Sequence, residues 1–314
     1  RARGCPGSVG LGPPRPSVRA MDVDLPKVAL GFLGTALVLG VLAVVVGVED
    51  LLSAFDLLDW RSMTLLSATG LAWLASWGFA LRAVLGALGI ETTRRGALLL
   101  YASAAFANNV TPFGQAGGEP ISALLISRST GSDYEQGLAA IASVDSLNFV
   151  PSIVLALLGL AYYAARFTVG DRLLLVIGVV VGLAILVPAV AYLLWRARER
   201  VKGGVTRVAT PLLRRLGRHV PGIPVLEAVH VRERIAGFYT SVGRVANDRR
   251  QLVRAVGASL VGWLFLALTL WLTLGALGTT VPIAIAFVIV PVGTIASVAP
   301  LPGGAGGVEA VTVL

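Results

Sequence analysis

The stretch Leu252–Gly278, LVRAVGASLVGWLFLALTLWLTLGALG, decides the fold class of this chain. Its single charge is Arg254 near the start, and the residues after it are apolar, small or hydroxyl-bearing. A helix needs about 20 such residues to cross roughly 30 Å of hydrocarbon. Four other runs have the same character: Pro26–Val48, Arg61–Leu81, Gly137–Ala165 and Arg172–Trp195. The sequence therefore predicts an all-α fold, a polytopic transmembrane helical bundle.

The composition of the whole chain agrees with a membrane protein. Hydrophobic residues make up 56 % of the 314 positions and charged residues 14 %. Soluble domains have about 45–50 % and about 25 % respectively. A soluble fold this apolar would expose large apolar patches, which soluble monomers avoid. The composition therefore argues against a soluble globular domain.

Both ends of the sequence have an unusual composition. Residues 1–20 are rich in Gly, Pro and Arg, and Met21 opens a segment directly before the first apolar run. We expect residues 1–20 to be a non-native or disordered tail, residues 21–314 to form one transmembrane domain, and the C-terminus to be truncated. Cys5 is the only cysteine, and His219 and His230 are the only histidines. The sequence thus predicts no disulfide framework, no metal site and no cofactor.

Basic residues cluster in two segments, which indicates their side of the membrane. Leu81–Arg95 contains three arginines, and residues 196–254 contain fourteen Lys or Arg. Basic loops mark the cytoplasmic side, so both segments are predicted to be cytoplasmic. Nucleic-acid binding by the long basic loop is the rival explanation, but the positive-inside bias accounts for the same charges.

Two short amphipathic helices are predicted outside the spans. One lies between Val48 and Arg61, where leucines recur at helical spacing. The other lies within the long basic loop and suits a helix resting on anionic headgroups. Its apolar residues are three or four positions apart: Ile235, Phe238, Tyr239, Val242 and Val245.

The number of spans requires a hairpin earlier in the chain. Only Gly137–Ala165 and Arg172–Trp195 lie between residues 128–135 and the long basic loop. Two spans return the chain to the same side, so residues 128–135 should also be cytoplasmic. Residues 96–127 must therefore enter and leave the membrane on one face.

A break in the sequence shows how this hairpin is made. Asn108–Pro120, NNVTPFGQAGGEP, contains prolines and a glycine pair that interrupt a helix. Interrupted backbone at membrane depth is tolerated where protein or water satisfies it. We predict a re-entrant hairpin with half-helices at Gly96–Asn108 and from about Gly118 to Arg128.

An internal repeat has a spacing of 189 residues. Leu85–Gly89 and Leu274–Gly278 both have the sequence LGALG, and Ala116–Gly118 and Ala305–Gly307 both have the sequence AGG. Each copy contains a span ending in LGALG, a further helix, and a Pro/Gly break followed by a glutamate. The first span runs inward and the second outward, so the copies are inverted. The second hairpin, Pro282–Leu314, should therefore enter from the opposite face.

Inverted repeats with interrupted helices are the architecture of secondary transporters, whose substrate site lies where the breaks meet. Half-helix N-termini offer free amides to an anion such as a phosphate, although close helix packing is an alternative reason for glycine there. Polar residues inside the membrane are costly and mark functional sites. The predicted substrate-binding residues are Asn108, Asn109, Pro112, Gln115, Gly117, Gly118, Glu119, Asp145, Asn148, Pro300, Gly303, Gly304, Gly306, Gly307 and Glu309. The structural alternative is that the acids join helices as ion pairs, with Arg128 as a candidate partner, and that the amides cap helix ends.

The motifs around both breaks resemble a known family. Pro112–Glu119 (PFGQAGGE), Asp145 on the next span, the basic loop and Pro300–Glu309 (PLPGGAGGVE) are similar to the lysylphosphatidylglycerol synthase transmembrane region. This flippase-like family includes UPF0104-type proteins and is common in archaea. The resemblance extends from about Lys27 to Leu314 and implies a lipid-translocating module. Ser122 and Ser146 stand where the family commonly has Arg, which implies a changed headgroup preference.

Three functional classes remain. The first is a flippase or transporter in the cell membrane that moves an anionic phospholipid or a polyprenyl-phosphate-linked lipid between leaflets. The second is the membrane-embedded part of an aminoacyl or glycosyl transferase, which is less favoured because the sequence has no intramembrane histidine and no catalytic domain. The third is a non-transporting lipid-binding subunit. The expected partners are membrane lipids and no nucleic acid, and a homo-oligomer is left open.

Overall fold

The computed structural model describes residues 40, 44, 47, 58–111, 115–166, 171–197 and 228–296. These ranges contain eight α-helices and no strand, which confirms the predicted all-α fold. In chain order the helices are α1 (Trp60–Ala87), α2 (Arg94–Val110), α3 (Gln115–Thr130), α4 (Tyr134–Arg166), α5 (Asp171–Arg196), α6 (Ala228–Asn247), α7 (Arg249–Ala276) and α8 (Ile283–Ala296). Of these, α1, α4 and α7 are long and apolar enough to cross a membrane.

Four of the five predicted spans coincide with described helices, namely α1, α4, α5 and α7. The predicted span Pro26–Val48 lies outside the described residues apart from residues 40, 44 and 47. The tail 1–20, the interfacial helix predicted before Arg61, and most of the long basic loop also lie outside them.

Helices α1 and α7 begin and end in the same way, 189 residues apart. Their N-caps are Asp59 and Asp248, whose carboxylates accept the backbone N–H of Ser62 at 2.8 Å and of Gln251 at 3.1 Å. Such caps satisfy one of the free amides at a helix start.

The LGALG blocks of the repeat are helix ends. Gly89 has φ +77° and Gly278 has φ +80°, a left-handed conformation that glycine adopts without steric cost. In each copy the next residue donates its N–H back to the first leucine of the block: Ile90 to Leu85 O and Thr279 to Leu274 O, both at 2.9 Å. This is the hydrogen bond of a Schellman C-cap.

The turn after each LGALG block is fixed by a side chain at equivalent positions. Arg82 Nε donates to Thr92 O at 3.1 Å, and Trp271 Nε1 donates to Val281 O at 2.9 Å. Both donors and both acceptors are 189 residues apart, as are the first residues of α2 and α8. The internal repeat found in the sequence is therefore a repeat of structure.

The two copies run in opposite directions. α1 and α7 form the most extensive helix contact in the described part of the chain. The Thr269 hydroxyl donates to that of Thr69 at 2.9 Å, and Trp77 Nε1 donates to Ser259 O at 3.4 Å. Thr69 thus contacts residue 269 of α7, whereas Trp77, further along α1, contacts the earlier residue 259. The two helices are therefore antiparallel. The repeat is therefore inverted.

An aromatic cluster fills the centre of this contact. The Trp77 ring packs edge-on against Trp73, Tyr101 and Trp263, with centroids 5.4, 5.9 and 5.6 Å away. Gly262 gives the Trp77 indole room, because a Cβ at that position would overlap the ring. Close packing over small residues is the main source of helix association in a membrane, where apolar burial contributes little.

Helices α2 and α3 form a hairpin whose two open ends lie together. Glu91 and Thr93 before α2, and Ser129 and Thr130 at the end of α3, line one cleft of about 470 Å³. At the other end of the hairpin, Gly118 lies against Asn108. The chain therefore enters and leaves this hairpin beside the C-terminal end of α1, where Arg82 lies.

The break in the hairpin is shorter than the sequence suggested. Thr111 is extended, with φ −85° and ψ 142°, as expected for the residue before a proline. α3 begins at Gln115 rather than near Gly118, and Pro120 lies inside it. The prediction that residues 108–120 interrupt the helix, with the second half-helix starting at about Gly118, is therefore wrong for residues 115–120. Pro120 is the sixth residue of α3 and has no N–H, so it removes one backbone hydrogen bond near the start of the helix.

Helix α6 confirms that the apolar spacing in the long basic loop forms a helix. It packs against the N-terminal part of α4, where Arg234 Nε lies 3.3 Å from Glu135 Oε1. Ser241 and Val245 are buried on its inner side. Part of the face predicted to rest on headgroups is therefore occupied by protein.

One end of the bundle is basic, and we call it the basic end. The C-terminus of α1 and the N-termini of α2, α4 and α7 lie there, as the contacts above require. Its exposed arginines are Arg82, Arg94, Arg95, Arg128, Arg196, Arg234, Arg244, Arg249, Arg250 and Arg254. At the opposite end, the exposed arginines among the described side chains are Arg61 and Arg166.

Candidate functional site

The candidate site lies where α2, α3 and α4 meet. α3 packs against both α2 and α4. Asp145 is on α4, Glu119 is in the second turn of α3, and Tyr101 is buried on α2. Asp145 lies close enough to Glu119 and to Tyr101 for an electrostatic interaction with each. We call this the three-helix junction.

Asp145 has unsatisfied hydrogen-bonding capacity. Its Oδ2 is buried and has no hydrogen-bond partner among the described residues. The candidate ion-pair partner Arg128 is exposed at the end of α3, nine residues and therefore about 13 Å along the helix from Glu119. The structure thus offers no support for Arg128 as the group that neutralises this acid.

Asn108 contributes a second buried oxygen without a partner. Its Oδ1 has no hydrogen-bond partner in the described part of the chain. The side chain lies against Gly118, one residue before Glu119. Asn108 and Tyr101 are seven residues apart on α2 and therefore share one helix face. The junction accordingly has neutral and acidic oxygens along one side of α2.

Gly118 is explained by packing. A Cβ there would overlap the Asn108 backbone and side chain, so only glycine lets α2 and α3 approach so closely. Gly117 and Gln115 lie in the first turn of α3, where backbone N–H groups have no intrahelical acceptor. Pro112 lies outside the described residues.

Asn148 has a different environment from Asp145. Its Oδ1 accepts the Ser259 hydroxyl at 2.5 Å, and its backbone oxygen accepts Trp263 Nε1 at 3.0 Å. Both partners are on α7, and all three residues are buried. Asn148 therefore connects α4 to the second repeat. Asn109 is exposed and donates to Ala105 O on its own helix at 2.8 Å.

The second group of predicted site residues lies outside the described residues. It consists of Pro300, Gly303, Gly304, Gly306, Gly307 and Glu309. The helix before them, α8, packs along the C-terminal half of α4: Gly159 lies against Ala284 and Phe287. α8 runs antiparallel to α4, in the direction of Asp145.

Tyr101 is a site residue that sequence reasoning missed, and Ser122 was noted through the family resemblance but was not among the predicted site residues. Ser122 is fully buried, and its hydroxyl donates to Gly118 O at 2.9 Å. Tyr101 shares a helix face with Asn108, and that spacing is a signal that was present in the sequence. Ser146, the other position where the resemblance led us to expect arginine, is exposed and donates to Ala142 O at 2.7 Å.

Two clefts at the basic end are accessible from outside the bundle. One, of about 470 Å³, lies between α2 and α3 and has hydroxyls from Thr92, Thr93 and Ser103. The other, of about 420 Å³, lies between α4 and α6 and has Arg234, Arg244 and Glu135 on its walls. No group of three His, Cys, Asp or Glu side chains suited to a metal occurs in the ranges described.

Comparison with known proteins identifies the family of the chain. Residues 29–314 match the family described as the lysylphosphatidylglycerol synthase TM region. A UPF0104 membrane protein of Methanothermobacter thermautotrophicus is 26 % identical over 298 residues, which cover 91 % of this chain and 82 % of that protein. A second UPF0104 membrane protein of the same organism is 22 % identical over 213 residues, covering 66 % of this chain and 60 % of the relative. No solved structure has significant similarity to the chain. The chain belongs to the lysylphosphatidylglycerol synthase TM region family and is a multi-pass membrane protein.

Proposed function

We propose that this protein moves an anionic phospholipid or a polyprenyl-phosphate-linked lipid between the leaflets of the cell membrane. The observation that carries the proposal is the three-helix junction, where the buried Oδ2 of Asp145 and the partly buried Glu119 lie beside a broken hairpin. Ionisable residues inside a bundle are retained at a cost and mark transport pathways. Antiparallel repeats with broken helices suit alternating access to such a site.

The proposed orientation places the basic end in the cytoplasm, because basic segments stay on that side. The α2–α3 hairpin then enters and leaves from the cytoplasmic face. α2 has 17 residues and α1 has 28, which correspond to about 25 Å and about 42 Å. A helix of the shorter length inserted from one face ends within the bilayer.

The proposed transport path begins at the basic end. Exposed arginines attract the anionic headgroup, and the cleft between α2 and α3 admits it to the hairpin. The free amides in the first turn of α3 then receive the phosphate, while the lipid tails stay in the hydrocarbon. Rocking of one repeat against the other opens the site to the opposite leaflet.

Lipid scrambling in proteoliposomes tests this proposal. We would reconstitute wild type, Asp145→Asn and the control Glu233→Gln, which neutralises an exposed carboxylate on α6, outside the junction and outside the cleft between α2 and α3. Labelled anionic phospholipid and labelled polyprenyl phosphate serve as separate substrates. We expect wild type and the control to move one of them and Asp145→Asn to be at least about tenfold slower, a barrier change of about 1.4 kcal/mol. Equal rates in all three proteins, or none above empty vesicles, would reject lipid transport.

A lipid-binding subunit without transport is the second candidate. It is favoured by the tight packing at Gly118 and by the hydrogen bonds of Asn148, which give two predicted site residues a structural role. In that case the same proteoliposomes would retain labelled lipid on the protein without scrambling it.

A further inference from the structure

The three-helix junction has negative charge that no described side chain balances. Asp145 and Glu119 interact electrostatically, and the Oδ2 of Asp145 is buried without a hydrogen-bond partner. The ion pair found within the described ranges, Arg234–Glu135, lies at the basic end. Two neighbouring carboxylates repel each other when both are ionised, and burying the charge of Asp145 without a partner is costly.

An anionic headgroup increases this cost. A phosphate that reaches the first turn of α3 lies within one or two turns of Glu119 on the same helix. Unless the carboxylates are neutralised, they oppose the binding that the proposed function requires. Binding of an anionic headgroup at the junction therefore requires a positive charge that the described side chains do not provide.

We infer that the three-helix junction binds a monovalent cation, a proton or Na⁺, and that this cation is taken up together with the anionic headgroup. The inference rests on the proposed function for its coupling, but the cation site itself is independent of transport. Asp145 and Glu119 supply the charge, and the buried Oδ1 of Asn108 supplies a neutral oxygen. Hard cations prefer such oxygen ligands. Ca²⁺ takes about six to eight oxygens, more than these three side chains provide.

Binding of the cation and binding of the headgroup are coupled because both occur at the three-helix junction. If the bound cation increases the affinity for the headgroup, the headgroup increases the affinity for the cation by the same factor. Lipid movement would then be driven by the gradient of that cation. A cation gradient is an energy source that requires no nucleotide-binding site in the chain.

Few other charged groups face Asp145. Tyr101 of α2 and Glu119 of α3 interact with it electrostatically. Of the remaining helices packed against α4, α8 has no charged residue, and the charged side chain described on α5 is the exposed Arg196 in its last turn. The charges at the basic end of α1, α6 and α7 whose side chains are described are Arg82, Glu233, Arg234, Arg244, Asp248, Arg249, Arg250 and Arg254.

The test measures thermal stability of the full chain in nanodiscs of uncharged lipid, by circular dichroism. One arm exchanges choline chloride for NaCl at constant pH and ionic strength. The other arm lowers the pH from about 8 to about 6 without Na⁺. A ligand that binds only the folded state raises the melting temperature, and we expect a rise of about 3 °C or more in one arm. A rise with Na⁺ identifies Na⁺ as the ligand, and a rise at low pH identifies the proton.

Matched variants assign the effect to the junction. Glu233→Gln should keep the shift, whereas Asp145→Asn and Glu119→Gln should each lose at least half of it. Glu119→Gln, together with direct binding of radioactive Na⁺ to wild type, decides the result if Asp145→Asn does not fold. The absence of a shift in both arms for wild type, or an undiminished shift in the folded variants, would overturn the cation site. A shift without lipid scrambling would keep the site and reject transport, whereas scrambling without a shift would reject this inference alone.

Discussion

Replacing Gly262 by alanine tests the antiparallel contact between α1 and α7. A Cβ at Gly262 would overlap the Trp77 indole. The ring cannot move away freely, because it also packs on Trp73, Tyr101 and Trp263 and donates to Ser259 O. Gly262→Ala should therefore destabilise the bundle.

The size of the effect follows from three terms. Overpacking of a core costs about 1–3 kcal/mol, and loss of the Trp77 hydrogen bond adds about 1 kcal/mol. Alanine recovers about 1 kcal/mol through its higher helix propensity. We expect a net loss of about 2 kcal/mol. Gly257 is the matched control in α7, because a Cβ there meets nothing within 4 Å, so Gly257→Ala should be neutral or stabilising.

Thermal unfolding followed by circular dichroism in detergent measures both variants. A double-mutant cycle with Trp77→Phe isolates the contact, because the smaller ring makes room for the new methyl group. We expect Gly262→Ala to cost less in the Trp77→Phe background, with a coupling of about 1 kcal/mol or more. If Gly262→Ala is as harmless as Gly257→Ala, the proposed packing of α1 on α7 is refuted.

Three further predictions concern the repeat and α6. Gly89→Ala and Gly278→Ala should each cost about 1 kcal/mol because of their positive φ, and clearly unequal losses in melting temperature would contradict the structural repeat. The hydrogen bonds of Ser62 hold the pKa of the Asp59 carboxyl below its ordinary value of 3.8, so the stabilisation by this cap is present above that value and is lost as pH falls through the folded pKa. Asp59→Asn should therefore show a smaller drop in melting temperature between pH 5 and pH 3 than wild type, and an equal drop would exclude Asp59 as its source. Arg234→Ala removes the partially exposed ion pair with Glu135 and should cost less than about 1 kcal/mol, with faster amide exchange confined to α6; unchanged exchange would show that the ion pair does not hold α6.

The repeat could be predicted because its determinants are local. The two LGALG blocks end helices through a glycine with positive φ. The aspartates that cap the starts of those helices, Asp59 and Asp248, were seen only in the structure. The start of α3 could not be predicted in the same way. Gly118 resembles a helix breaker, but the structure uses it for close approach to Asn108, which is a tertiary contact.

The candidate site was predicted only in part for the same reason. Asp145 lies near Glu119, and Asn108 lies against Gly118, because α2 and α3 form a hairpin against α4. The hairpin was inferred from the break and the loop charges. Asn148 is three residues from Asp145, but its partner Ser259 is 111 residues away in sequence. No local pattern distinguishes an amide that binds substrate from one that joins two helices.

The proposed transport site requires that the α2–α3 hairpin enters and leaves the membrane on one face. Single cysteines at Arg95, Arg128 and Arg61, all exposed, can be labelled in sealed vesicles with a membrane-impermeant thiol reagent. We predict that Arg95→Cys and Arg128→Cys react from the same side and that Arg61→Cys reacts from the other. Labelling of Arg95→Cys and Arg128→Cys from opposite sides would make the hairpin a membrane-crossing segment and would contradict the proposed transport site.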